Sequence, residues 1–332
     1  MTGKGNFMKD PIVSICTLSY NHEPYLRQAL DSFLSQRDVP FEVIIHDDAS
    51  TDGSAEIIRE YEKKYPDVIK PVYQTENQYS KGIHNPSGVF NFPRATGRYI
   101  AFCEGDDYWT DPYKLKKQVE YMDSDPDCVM CCHSAKVEDV SGNYKSYDLI
   151  RPWTESKVLS PREVISHNVI IPSASMLFSR ELAANLPKWY YDCPVGDAPL
   201  HLFAQLNGHI YYADVPMSVY RTGRPGSWTH SMDNMDEKVK KWEKYYDDMV
   251  ALYTAFNEDA GGKYTDEISE ALRRIRFHTD VNEGKDNVVL KKENAMFLAE
   301  MPENEAKLLK LRARMPGAYD LLRRTYKKFT KS

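Results

Sequence analysis

The stretch YIAFCEGDDYWTDP, Tyr99 to Pro112, decides how the rest of the chain is read. Tyr99 to Cys103 is a short apolar run rich in β-formers, the signature of a buried strand. It breaks into Glu104-Gly105-Asp106-Asp107. Three carboxylates around one glycine at the end of a buried strand repel one another, and without a partner some are driven toward protonation. A divalent cation is such a partner, because hard cations take oxygen ligands and accept several carboxylates. The plainer alternative is a solvated acidic turn opening a helix, since Asp111-Pro112 suits a helix start.

The residues before this stretch alternate strand and helix. Ile12 to Leu18 is strand-like and ends in the polar Ser19-Tyr20-Asn21-His22-Glu23-Pro24. Tyr25 to Gln36 carries Leu26, Leu30, Phe33 and Leu34 at helical spacing. Phe41 to Ile45 is a second strand running into His46-Asp47-Asp48, followed by a helix over 55–65. Val68 to Tyr73 is a third strand, and 74–93 a long polar loop of the kind that is usually functional. Such alternation predicts an α/β fold: a Rossmann-like, mostly parallel sheet flanked by helices. Ligands of such sheets bind at the carboxyl ends of the strands. Ser19-Tyr20-Asn21, Asp47-Asp48 and the acidic loop therefore face one crevice.

Composition narrows the class. The chain has 332 residues with 42% hydrophobic content and a net charge of −6. That suits a packed core and argues against a general nucleic-acid binder. No run of about 18 apolar residues marks a membrane span, and MTGKGNFMKDP lacks a signal-peptide core. The six cysteines include Cys16 and Cys103 in strand-like runs, which read as buried thiols of a reducing compartment. Cys128-x-x-Cys131-Cys132-His133 resembles a zinc half-site, but no second pair follows at zinc spacing, which favours a core strand.

The type of site follows partly by exclusion. No G-x-G-x-x-G follows the first strand and no G-x-x-x-x-G-K occurs. Asp48 to Gly53 imitates half an EF-hand loop, but Arg59 stands where the bidentate Glu belongs. An aromatic to stack on a base, a carboxylate to accept its N–H and a metal cluster to neutralise a diphosphate remain, and together they form a nucleotide-diphosphate site.

VSICTLSYNHEPYLRQALDSFLSQ, FEVIIHDDASTDGS and GRYIAFCEGDDYWTDPYKL, in that order, resemble the nucleotide-binding half of glycosyltransferase family 2, inverting enzymes with the GT-A fold. The resemblance spans roughly 11–227. It implies that Asp48 pairs with the base, usually uracil, and that Leu18 and Tyr20 line the base pocket. The family's D-x-D stands here as Glu104-Gly105-Asp106, with Asp106 the ligand of Mn²⁺ or Mg²⁺ and Glu104 in place of the usual first Asp. Asp107 and Trp109 are expected at the donor sugar or acceptor, and Asn77 and Arg94 at the nucleotide.

Further on, Lys114 to Met122 reads as a helix, Val129 to Val137 as a strand, Ser141-Gly142-Asn143 as a hairpin turn and 158–168 as a helix capped by Ser160-Pro161-Arg162-Glu163. Ile170 to Phe178 reads as a strand with Ser173 and Ser175 on one face, toward the acceptor in the family. Val195-Gly196-Asp197 precedes a helix through Leu206. By sequence alone Asp197 is a cap; the resemblance makes it the general base. Ile210 to Asp214 and Pro216 to Tyr220 read as strands. Arg221, Arg224 and His230 follow in a segment resembling the family's diphosphate loop, with Gly223 where many members carry His.

Three parts result: a tail over 1–10, a GT-A domain over 11–230 that divides into a nucleotide half (11–113) and an acceptor half (114–230), and a helical region over 231–332. In AYDLLRRTYKKFTKS, residues 318–332, Leu322, Tyr326 and Phe329 share a face among basic residues. Such a helix suits an anionic membrane surface, an ordinary solvated face or a homodimer contact. The expectation is a cytoplasmic enzyme, peripheral on the inner membrane face where that helix binds it. It would move sugar from a UDP-sugar to a glycan or lipid-linked oligosaccharide. A non-catalytic sugar-nucleotide-binding scaffold and a sugar nucleotidyltransferase are the rivals. The intact Asp106 and Asp197 weigh against the first, and the lack of a basic glycine-rich loop in SYNHEP weighs against the second.

Overall fold

A computed structural model describes residues 10–141, 149–166, 171–224, 227, 232 and 238–315. Four parallel strands form one half of a ten-stranded sheet, in the order β3-β2-β1-β4. They are β1 (Val13–Ser19), β2 (Phe41–Asp47), β3 (Ile69–Tyr73) and β4 (Tyr99–Phe102). Apolar faces make these strands: Val13, Ile15, Val43 and Ile45 are wholly buried. Helices α1 (Glu23–Leu34) and α2 (Ser54–Lys64) cross between them, burying Leu26, Leu30, Phe33, Ile57 and Ile58.

The second half of the sheet is mixed rather than parallel. β9 (Leu177–Ser179) runs antiparallel to β4, and the order continues through β6 (Cys128–Asp139), β10 (His209–Thr222) and β5 (Tyr108–Trp109). The two-residue strands β7 (Leu149–Ile150) and β8 (Lys157–Val158) attach to β6 and β10. The two strands expected at 210–220 are one, β10, whose register against β6 shifts between Ala213 and Ser218. Pro216 has no N–H to give a ladder, so the chain bulges there instead of ending.

The strand expected over 170–178 is also different. Ser175 N–H and Oγ both bond Pro172 O, at 2.9 and 2.7 Å, winding Ser173–Ser175 into a 3₁₀ turn. Ser173 and Ser175 therefore do not share a strand face, and only Leu177–Ser179 is extended. Val158 belongs to β8, and helix α4 (Pro161–Ile165) begins behind the expected Ser160–Glu163 capping box. Residues 142–148 and 318–332, which hold most of the expected hairpin turn and the basic C-terminal helix, lie outside the described residues.

Helices α3 (Lys114–Ser124), α5 (Arg180–Ala184), α6 (Lys188–Asp192) and α7 (Asp197–Asn207) complete the layers. Two long helices follow, α8 (Lys238–Asp259) and α9 (Thr265–Glu283). They do not form a core of their own. Met249, Leu252, Tyr253, Phe256, Ile268 and Ile275 join the cluster that holds Phe178, Trp189, Leu200 and Tyr212 of the sheet domain. Phe277, Val289, Phe297 and Leu309 form a separate small cluster. All six cysteines are buried free thiols, and burial pushes every one upward in pKa. Among the described residues, no helix is long and apolar enough to cross a membrane.

Candidate active site

The carboxyl ends of β1, β2 and β4 lie side by side, since Ser19 pairs with Asp47 in register and Gly105 N–H donates to Leu18 O at 2.8 Å. Asp48 leaves β2 buried, with 5% exposed. Its Oδ1 accepts from Gln78 N–H at 2.7 Å and its Oδ2 from Tyr79 N–H at 3.1 Å. Asn77 Nδ2 donates to Asp48 O at 3.1 Å and Asn77 Oδ1 accepts from Ser80 N–H at 2.7 Å, so Asn77 builds this loop. Each Asp48 oxygen keeps a lone pair for one more donor. Leu18 is half-buried beside it, and Tyr20 is 43% exposed at the end of β1.

Beneath Asp48 lies His46, fully buried, with Nε2 3.8 Å from Asp48 Oδ1. Burial drives His46 down to about 4, partly offset by Asp48 and deepened by the exposed Arg94. The ring is neutral at neutral pH. Arg94 ends the turn Phe92–Arg94, near enough to His46 for its charge to act there.

The acidic loop is under strong mutual repulsion. Burial, then Asp106, pushes Glu104 up to about 7, and Asp197 adds to the rise. Burial and Asp106 likewise hold Asp107 well above the carboxylate range. Asp106 is 6% exposed, and its Oδ1 is buried without a hydrogen-bond partner. Its Oδ2 accepts from Arg224 Nε at 2.7 Å, with His22 Nε2 3.9 Å away. Burial lowers His22 to about 4, against the pull of Asp106.

An orphaned carboxylate oxygen beside a second carboxylate is an oxygen donor set short of positive charge. It fits Mn²⁺ or Mg²⁺. Among the described residues no three metal-ligating side chains converge. A cation here would take one or two carboxylates from the protein and its other ligands from phosphate and water, as Mg²⁺ usually does.

Arg221, expected in the diphosphate loop, is buried against the acidic loop. Its guanidinium donates to Asp106 O at 2.6 Å, to Glu138 Oε2 at 3.0 Å and to Gln28 Oε1 at 2.5 Å. It lies against the rings of Tyr25 and Tyr108, and its backbone N–H donates to Asp107 Oδ1 at 2.8 Å. With every guanidinium nitrogen engaged, Arg221 clamps the acidic loop rather than facing solvent. Trp109 is placed inward too. It is 4% exposed, its ring packs 4.7 Å from Phe33, and its indole N–H donates to Ala174 O at 2.9 Å. That leaves it no polar group for a sugar. Asp107, 2% exposed, sits below the loop surface, and Ser173 is half-buried in its 3₁₀ turn. His230 lies outside the described residues.

Asp197 is exposed as the first residue of α7, after Gly196 at the cap position, and accepts from Ala198 N–H at 2.8 Å. The helix dipole favours a negative charge there. Loop 74–94 joins this side to the base side. Asn85 Nδ2 donates to Tyr190 O at 2.6 Å and Cys193 O at 3.0 Å, and a Cβ on Gly88 would meet the Tyr190 ring at 2.6 Å.

The structure also brings His22, His46, Asn85 and Tyr79 to this region, which the sequence did not single out. Tyr79 is 46% exposed, and Glu104 raises its phenol alongside burial. Its backbone is held by Asp48, and its phenol lies near enough to Glu104 for that charge to act on it. Only the length and polarity of the 74–93 stretch pointed to this loop.

The family model for Glycosyl transferase family 2 matches residues 14–186, just over half of the chain. An uncharacterised protein of Mycobacterium tuberculosis (strain ATCC 25618 / H37Rv) is 37% identical over 249 residues, 73% of this chain and 67% of its own. The Escherichia coli protein named UDP-Glc:alpha-D-GlcNAc-diphosphoundecaprenol beta-1,3-glucosyltransferase WfaP is 35% identical over 162 residues, 48% of this chain and 55% of its own. Residues 1–349 of Staphylococcus aureus TarS, crystallised with UDP-GlcNAc, align with a TM-score of 0.61 at 20% identity, covering 95% of this chain and 91% of that one. The strand-end site, the family match over most of the sheet and the shared GT-A architecture make this chain a member of glycosyltransferase family 2, and a glycosyltransferase.

Proposed function

We propose that this glycosyltransferase moves a hexose or N-acetylhexosamine, with inversion, from a UDP-sugar to a hydroxyl of a glycan or lipid-linked oligosaccharide in surface polysaccharide synthesis. The observation that carries the reading is the placement of two buried carboxylates on either side of β1: Asp48 at the end of β2, and Asp106 in the loop after β4, which Gly105 N–H ties to Leu18 O at 2.8 Å. Asp106 and Asp197 come from distant parts of the chain, yet both raise Glu104. Asp197 thus stands near enough to Glu104 for its charge to act on that carboxyl, which supports a general base on the acceptor side. WfaP, by its name, uses UDP-Glc and a lipid diphosphate acceptor, and TarS was crystallised with UDP-GlcNAc. Those facts belong to those proteins, but they support a uridine donor here.

In this reading Asp48 accepts the imide N–H of uracil, and Leu18 and Tyr20 line the base. Asp106, with Glu104 beside it, would hold the divalent cation. When bound, that cation supplies positive charge to the leaving diphosphate. Asp197 removes the proton from the acceptor hydroxyl as its oxygen attacks the anomeric carbon. The bond from that carbon to the diphosphate oxygen breaks on the opposite face, releasing nucleoside diphosphate.

Asp197→Asn should lower kcat about 10²–10⁴-fold, the usual worth of a general base. UDP affinity measured by calorimetry should stay unchanged in that variant, whereas Asp106→Ala should abolish the Mn²⁺-dependent part of UDP binding. UDP binding no tighter than GDP or dTDP binding, or indifferent to both Mn²⁺ and Asp106, would refute the donor assignment.

A further inference from the structure

The segment after β10 delivers a cation to the acidic loop. β10 ends at Thr222, and Gly223 follows with φ of 75°, in the left-handed region. A Cβ there would stand 2.6 Å from Asp139 Oδ1 and 2.7 Å from Ser141 Cβ. Glycine alone turns the chain here without displacing the end of β6. The turn carries Arg224 back, so that its Nε donates to Asp106 Oδ2 at 2.7 Å, with only 15% and 8% of the two side chains exposed. Asp106 is the carboxylate assigned above to the cation, and its Oδ1 has no partner.

A guanidinium stays charged at any working pH, and it pairs with phosphate as readily as with carboxylate. A divalent cation at Oδ1 would share the Asp106 carboxylate with Arg224 at Oδ2, and the two positive charges would repel across it. An incoming nucleoside diphosphate offers Arg224 a second anionic partner at the same place. Arg221 cannot play this part, because its three nitrogens are engaged elsewhere.

We propose that Arg224 exchanges partners during the catalytic cycle. It neutralises Asp106 while the donor is absent and passes to the donor's diphosphate when Asp106 takes the divalent cation. Metal and nucleotide then favour each other's binding, because each removes the competitor of the other. When the product diphosphate leaves, Arg224 returns to Asp106. This proposal rests on the nucleotide and metal reading above.

The test measures Mn²⁺ affinity of the full chain by electron paramagnetic resonance of free Mn²⁺, alone and with UDP. The proteins are wild type, Arg224→Ala, Arg224→Lys and Asp106→Ala, and calorimetry adds UDP and uridine affinities. Without nucleotide, Arg224→Ala should bind Mn²⁺ at least about fivefold more tightly than wild type, and the gain in Mn²⁺ affinity caused by UDP should shrink by a similar factor, the lower end of ordinary site–site coupling. The same variant should bind UDP more weakly and uridine equally well. Arg224→Lys, which keeps the charge but not the fork, should fall between. If Asp106→Ala weakens Mn²⁺ binding while Arg224→Ala leaves it unchanged, the metal site stands and the exchange is overturned. If Asp106→Ala leaves Mn²⁺ binding unaltered, the metal reading has failed and the exchange with it.

Discussion

At Gly105 a missing methyl group sets the height of the acidic loop. A Cβ there would lie 3.0 Å from His22 Nδ1, Leu18 O and Leu26 Cδ1, tighter than ordinary contact. Gly105→Ala should push the loop off β1 and cost about 1–3 kcal/mol, as overpacking usually does. Chemical denaturation should read that loss, and calorimetry should show weaker UDP binding beyond it. A variant as stable and as competent as wild type would show that the loop tolerates lifting. The carboxylates themselves were legible, because Asp48 and Asp106 stand at strand ends and strand ends are visible as apolar runs. The two arginines were not. Arg221 and Arg224 look alike in sequence, and only the turn at Gly223 decides that one is a clamp and the other faces Asp106. Trp109 was expected with Asp107 at the donor sugar or acceptor, and its inward turn was not legible, since a sequence does not say which way an indole points.

Among the elements, α3 shows what periodicity hides. Lys114 opens the helix in a position that a sequence reader assigns to solvent, yet it is fully buried. Its Nζ donates to Gln118 Oε1 at 2.8 Å and lies 4.2 Å over the Trp109 ring. Burial lowers its pKa from 10.5 to about 7. Between those values the unfolded chain holds a proton that the folded one has lost, so stability should rise as pH increases through that window. Below about 7 the folded protein must bury a charge, and the cost is then complete. Lys114→Met should therefore flatten the rise in Tm across that alkaline window. Thermal scans at matched ionic strength check it, and a slope equal to that of wild type would mean that other groups set it. The parallel half of the sheet was readable because its strands are continuous apolar runs. β10 and the 3₁₀ turn at Ser173–Ser175 were not, since a proline can mark a bulge or a break, and serines that bond back to a carbonyl leave no periodic trace.

For the molecule as a whole, the helical region expected to begin at 231 shares its core with the sheet. Trp189 Nε1 donates to Asp259 Oδ2 at 2.7 Å and Tyr253 OH to Ile165 O at 2.8 Å, across the expected boundary. The change in composition was visible in sequence, but composition does not report which face a helix buries. Phe256, wholly buried, packs at 6.2 Å from Trp189 and stacks on Tyr264 at 5.6 Å. Phe256→Ala should cost about 3–5 kcal/mol, and sheet and helices should still melt in one transition. Two separate transitions in calorimetry would show that the shared cluster does not couple them. The buried thiols carry a further consequence. Only a thiolate attacks an alkylating or disulfide reagent, and each of the six is both covered and held back from ionising. They are spread from β1 to the segment before α7, so no local fraying uncovers them together. The native protein therefore carries its own stopwatch: the pace at which all six cysteines become labelled counts how often the whole molecule opens.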